Sequence, residues 1–135
     1  MESSEQEVIL IFSDNNDTLA PIAANLGRAG FVVVEHIGSE EVTLLLYRWN
    51  PRLVVVDWGL PDSGALHTIR TIRGDRQFSH MAVILSGRDI GCDEKVFMLE
   101  SLVDYCMDGQ IYPLEFIARV RAILRRTPRS HLPVA

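Results

Sequence analysis

The run Leu53-Val54-Val55-Val56-Asp57 limits the folds open to this chain more than any other stretch. Four β-favouring apolar residues follow one another without polar alternation, and the chain then turns through Gly59, Pro61 and Asp62-Ser63-Gly64. A strand that shows apolar side chains on both faces must be covered on both, which is the condition of central strands in parallel sheets. Open α/β sheets gather ligands and chemistry beyond the carboxyl ends of such strands. A carboxylate closing the strand stands where it could react or hold a metal ion, and equally where it could cap the following turn. The run alone leaves both roles open for Asp57.

Similar runs recur with helical patterns between them. Residues 8–12, 31–35, 81–85 and 103–107 read as four more strands. A first helix is expected from an N-cap at Asn16 or Asp17 to about Ala29, with Pro21 near its first turn and Gly30 ending it. Ser39 reads as the next N-cap, with Glu40 and Glu41 in the first turn and Val42, Leu45, Leu46 and Trp49 along the helix before Pro51. Leu66, Ile69 and Ile72 mark a third helix, and Val96 and Leu99 a short fourth between Asp93 and Glu100. Pro113 opens a fifth, with Phe116, Ile117, Val120, Ile123 and Leu124 as its apolar stripe. Five strands alternating with five helices predict an α/β fold: a doubly wound five-stranded parallel sheet of order 2-1-3-4-5, flavodoxin-like.

A chain of 135 residues can bury one core, and 47% hydrophobic with 23% charged residues suits a globular domain. A net charge of −5 argues against direct nucleic acid binding by this domain. Cys92 and Cys106 form neither a disulfide framework nor a metal-ligand spacing, which points to a reducing compartment. The acidic start lacks the regions of a signal peptide, and no apolar run reaches the roughly 18 residues of a membrane span. The expectation is a cytoplasmic protein with no membrane partner. Residues 1–7 read as a disordered N-terminus, 8–126 as the domain, and 127–135 as a linker or tail.

In the order 2-1-3-4-5, Asp14 after the first strand and Asp57 after the third share one acidic pocket, and Ser86 closes the fourth strand beside them. Two carboxylates and a backbone carbonyl near Gly59 could hold a hard divalent cation, and an aspartate there could accept a phosphoryl group. Two enzyme readings fit less well. An aspartate-nucleophile phosphatase would want a second acid where Gly59 stands, and the acidic run Ser13-Asp14-Asn15-Asn16-Asp17 would repel a nucleotide phosphate.

The segments ending in Ser13-Asp14, in Asp57-Trp58-Gly59-Leu60-Pro61 and in Ser86 resemble the receiver domain of two-component response regulators, over residues 8–126. The last helix, with Glu115 and Arg119, is similar to that of the OmpR/PhoB class, in which a winged-helix DNA-binding effector domain follows. The resemblance implies Asp57 as phosphoacceptor for a histidine kinase and magnesium at Asp14, Asp57 and Gly59. It also implies Ser86 and Tyr105 as switch residues, with Cys106 the alternative to Tyr105. Lys95, Glu115 and Arg119 become the residues of a homodimer face built from the fourth helix, fifth strand and fifth helix. No enzyme activity is implied beyond self-phosphoryl transfer onto Asp57.

The chain departs from that pattern in three places. Ser13 replaces an acid, so weak magnesium binding is expected. The slot of the family's lysine falls on Asp108 or Gly109, and Lys95, the only lysine present, belongs to another element. The loop after Asp57 is also one residue shorter than usual. Arg88 could stand in for the missing cation or be an exposed loop arginine. An atypical receiver with weak or no dependence on phosphorylation is therefore expected, with a conventional magnesium-dependent receiver as the alternative. His36, His67, His80 and His131 are dispersed and read as structural or exposed.

Overall fold

The structure, a computed structural model, describes residues 7–15 and 19–127. Ten elements alternate: β1 (Val8–Ser13), α1 (Ala20–Arg28), β2 (Val32–Ile37), α2 (Val42–Trp49), β3 (Leu53–Asp57), α3 (Gly64–Gly74), β4 (Ala82–Gly87), α4 (Cys92–Ser101), β5 (Tyr105–Asp108) and α5 (Pro113–Arg126). The sheet is parallel throughout and ordered β2-β1-β3-β4-β5, as the alternation predicts. Every residue of β3 is buried, and its neighbours β1 and β4 are buried nearly along their lengths.

Period-two alternation divides these apolar strands between two cores. Leu10, Phe12, Val54, Val56, Val83 and Leu85 meet α2, α3 and α4 through Leu46, Ile69, Ile72 and Met98. Ile9, Ile11, Leu53, Val55 and Ile84 meet α1 and α5 through Ile22, Leu26, Phe116, Val120 and Leu124. Each such side chain, fully buried, contributes about 1.5–3 kcal/mol of transfer free energy.

Several boundaries differ from the sequence reading. β2 runs later than residues 31–35 and is only partly buried, because it is an edge strand. β5 begins at Tyr105, not Val103, because the Asp104 carboxylate accepts the Val83 N–H (2.8 Å) and a bond from Arg73 (3.3 Å). Ser39 does not cap α2. Glu41 occupies that position with φ 63, so both acids precede the helix and its first turn holds none. Leu19 holds the cap position of α1, and Asn16 and Asp17 lie outside the described residues. Pro21 and Gly30 (φ 100) take their expected places at the two ends of that helix. In α4 the expected inward residues Val96 and Leu99 are exposed, with Phe97, and Met98 alone is buried.

The two ends of the fold meet at Arg52. Its guanidinium donates to the Glu7 carboxylate (2.9 Å) and to the Leu124 carbonyl in the last turn of α5 (3.1 Å). Glu7, read from sequence as part of the N-terminal tail, is thus tied to the sheet, and its carbonyl also accepts the Val32 N–H.

Candidate functional site

Asp57 ends β3 with 2% of its surface exposed, and the sheet register sets it beside Ser86 at the end of β4. Its carboxylate accepts the Gly59 N–H at 2.8 Å on Oδ1 and the Asp14 N–H at 3.3 Å on Oδ2. The carboxylate thus makes the turn-cap contact, and it does so beside the Asp14 carboxylate. Burial pushes the Asp57 pKa up, the two N–H groups pull it down, and the neighbouring Asp14 carboxylate pushes it up again, with a net rise.

Gly59 sits close to both carboxylates. A Cβ at this position would lie 3.2 Å from Asp57 Oδ1, a tight approach, and 3.7 Å from Asp14 Oδ2, an ordinary contact. Asp14 is exposed just past β1, whereas Ser13 is buried and spends its hydroxyl on the Asn15 carbonyl (2.8 Å). The described residues contain no group of three or more His, Cys, Asp or Glu side chains suited to a metal ion. Asp14 and Asp57 supply two carboxylates, which matches the demand of magnesium, an ion that commonly keeps several waters and takes one or two carboxylates.

Ser86 is buried and lines a cleft of about 680 Å³ together with Gly87, Arg88, Asp89, Asp108 and Gln110. The register pairs Gly87 with Asp108, so of the two candidates for the lysine slot Asp108 is the strand-end residue. Gly109 begins the turn at φ 93, and its N–H binds the Gly87 carbonyl. Asp108 is joined to Lys95 of α4 at 3.1 Å. The Lys95 ammonium holds the Asp108 carboxyl below its ordinary pKa, helped by the N–H groups of Ile90 and Asp89, and the carboxylate in turn raises the pKa of Lys95.

The other expected residues are also engaged within the chain. Arg119 lies over the Tyr105 ring (4.9 Å to the centroid) and 3.9 Å from Glu115, one helical turn away. Tyr105 is partly buried against the α1–α5 core and Cys106 against the opposite one. Both cysteines are free, and burial pushes the Cys106 thiol up.

Two features escaped the sequence reading. One is the Lys95–Asp108 pair, for which the only signal was a lone lysine. The other is Gly87, where a Cβ would stand 2.6 Å from Trp58 Cβ. Glycine lets the turn after Asp57 lie directly on the end of β4, where the Trp58 N–H bonds the Ser86 carbonyl (2.8 Å).

Known proteins share this fold. A response regulator receiver domain protein (CheY-like) from Methanospirillum hungatei superposes with a TM-score of 0.79 at 19% identity, covering 90% of this chain and 96% of that one. The BeF3-activated N-terminal receiver domain of Klebsiella pneumoniae RstA gives 0.78 at 24% identity, covering 88% and 99%. No family model matches the chain. In sequence it is 27% identical over 121 residues to the phosphate regulon transcriptional regulatory protein PhoB of Pseudomonas aeruginosa, covering 90% of this chain and 53% of the relative. It is 30% identical over 119 residues to the alkaline phosphatase synthesis transcriptional regulatory protein PhoP of Bacillus subtilis, covering 88% and 49%. The chain spans about half the length of these curated relatives.

The chain has the receiver-domain fold of these structures, and its sequence is similar to that of transcriptional regulatory proteins of the PhoB and PhoP kind. Among the described residues no helix is long and apolar enough to cross a membrane.

Proposed function

We propose that this receiver works through its α4–β5–α5 face, as a homodimerisation module for an attached DNA-binding effector, with weak or no dependence on phosphorylation. The observation that supports this most is the placement of cations. Asp108, not a basic residue, ends β5 beside the strand of Ser86, and the chain's only lysine neutralises it from α4. A unit charge pair at about 4 Å is worth up to roughly 4 kcal/mol at an effective dielectric near 20. A phosphoryl group on Asp57 would lack that attraction from β5. In this reading the domain acts in the cytoplasm, does not itself bind DNA, and is not an enzyme.

A second reading has its own support in the buried Asp57 next to Asp14 and Ser86. Asp57 would then attack the phosphorus of a kinase phosphohistidine, with the P–N bond breaking and the imidazole leaving with a proton. Magnesium held by Asp14, Asp57 and Gly59 would neutralise the phosphoryl oxygens, and Ser86 and Tyr105 would respond.

Incubation with acetyl phosphate or beryllofluoride plus magnesium separates the two readings by intact mass and NMR. We expect little or no adduct. A stable adduct that disappears in Asp57→Asn would overturn the phosphorylation-independent reading. Sedimentation of the unmodified protein tests the dimer, and a monomer at high micromolar concentration would overturn constitutive pairing.

A further inference from the structure

α4 is held to the rest of the fold by very little apolar surface. α3 buries Gly64, Ala65, Thr68, Ile69 and Ile72, and α5 buries Phe116, Val120 and Leu124, but α4 buries Met98 alone. Its other large apolar residues, Val96, Phe97 and Leu99, are 47%, 48% and 43% exposed. With so little burial, polar ties carry more of the work of placing this helix. Its C-terminal end is closed by the Leu102 and Val103 N–H groups on the Met98 carbonyl, and its first turn by the Lys95 N–H on the Gly91 carbonyl. Both closures lie within α4 and its flanks, and the C-cap is further tied to α3, where Arg73 Nε donates to the Leu102 carbonyl at 2.8 Å.

The tie that crosses to the sheet is the ion pair from Lys95 to Asp108. It reaches the last residue of β5, where the Gly109 N–H anchors the chain to Gly87 of β4. The N–H groups of Asp89 and Ile90, in the loop that leads into α4, also favour the ionised Asp108 carboxylate. Asp89 itself holds a left-handed backbone, φ 58, a conformation that surrounding contacts must sustain in a non-glycine residue. One carboxylate thus stands against the end of β4, the loop after it and the first turn of α4.

The geometry points to a cis latch: Lys95 and Asp108 pin α4 to the end of β5 and set its position without any input from Asp57. The inference rests on the proposed α4–β5–α5 reading for its consequence, since the latch would hold Val96, Phe97 and Leu99 in one presentation. The latch itself is tested without reference to dimers or phosphorylation.

The test is amide hydrogen exchange of the full chain by mass spectrometry, in a cycle of wild type, Lys95→Gln, Asp108→Asn and the double variant. Both changes are near-isosteric and at partly exposed side chains, so the fold is retained. Each single variant should raise exchange over residues 88–101 by up to about fivefold, with α1 and α3 unchanged. The double variant should be no faster than either single one, and high salt should speed exchange in wild type but not in Asp108→Asn. Single variants that leave residues 88–101 unchanged, or effects that simply add in the double variant, would overturn the latch. A beryllofluoride adduct on Asp57 would overturn the proposed function and leave these exchange results as they are, so the two inferences fail separately.

Discussion

Asp57 and Asp108 end strands that flank β4, and they live in opposite electrostatic surroundings. Asp57 is buried beside another carboxylate, and its proton is held more tightly than usual. Asp108 faces the chain's only lysine, and its proton is released more easily. A receiver that bound a phosphoryl group strongly would place its cation toward Asp57. Here the cation serves a contact between a helix and the sheet margin. The contrast separates two tasks that one strand end can perform, charge neutralisation at a reactive site and mechanical attachment of an element.

The largest effect expected from breaking this arrangement lies between the two aspartates, at Gly87. Replacing it with alanine forces a Cβ against Trp58 Cβ, which is tied to backbone and cannot swing away. Loss of roughly 2–3 kcal/mol in urea unfolding is expected, together with separation of the Asp57 turn from β4. Asp108→Lys would move a cation to the strand end, and the rate of Asp57 modification by acetyl phosphate with magnesium should rise about tenfold. Unchanged reactivity in that variant would show that some other deficit limits Asp57.

Asp57→Asn comes next. Folding raises the Asp57 pKa above its ordinary 3.8, so its favourable contribution is complete below that value and is lost as pH rises through the folded one. The asparagine variant does not titrate, so at neutral pH it should be the more stable by on the order of 1 kcal/mol. That advantage should shrink as pH falls toward 3.8, as read by chemical unfolding across the range. Asp108 has the opposite sign. Its lowered pKa makes its contribution present above 3.8 and lost on acidification through the folded value, so Asp108→Asn should cost nothing at low pH. The smallest effect is expected from Glu115→Gln: the pair with Arg119 spans 3.9 Å at exposed side chains, and its loss should change stability by roughly 0.3–0.5 kcal/mol.

The parts of the fold that were legible in the sequence are those where burial leaves the chain no choice. β1, β3 and β4 are apolar on both faces because helices cover both; the limits of β3 can be read from its run, whereas β1 extends to Ser13 and β4 runs Ala82–Gly87, beyond the apolar runs at 8–12 and 81–85. The edges of the sheet were harder. β2 and β5 are partly exposed, and the start of β5 depends on a carboxylate, Asp104, that caps a neighbouring strand's N–H. α4 was legible as a helix but not as a face, because helical spacing of Val96 and Leu99 cannot tell an inward stripe from an outward one. Asp14, Asp57 and Ser86 were legible as a group because topology alone brings strand ends together. The Lys95–Asp108 pair was not, since it depends on the rotation of α4 and the register of β5.

Arg52 gives the fold a geometric property that matters for any larger protein built on it. Its guanidinium gathers Glu7 and the last turn of α5 at the amino end of β3, whereas Asp57 stands at the carboxyl end, roughly 15 Å along the strand. Chain entering before β1 and chain leaving after α5 therefore share one corner, on the side of the sheet opposite the crevice. A fusion or label attached at either end would leave the strand-end carboxylates open to solution.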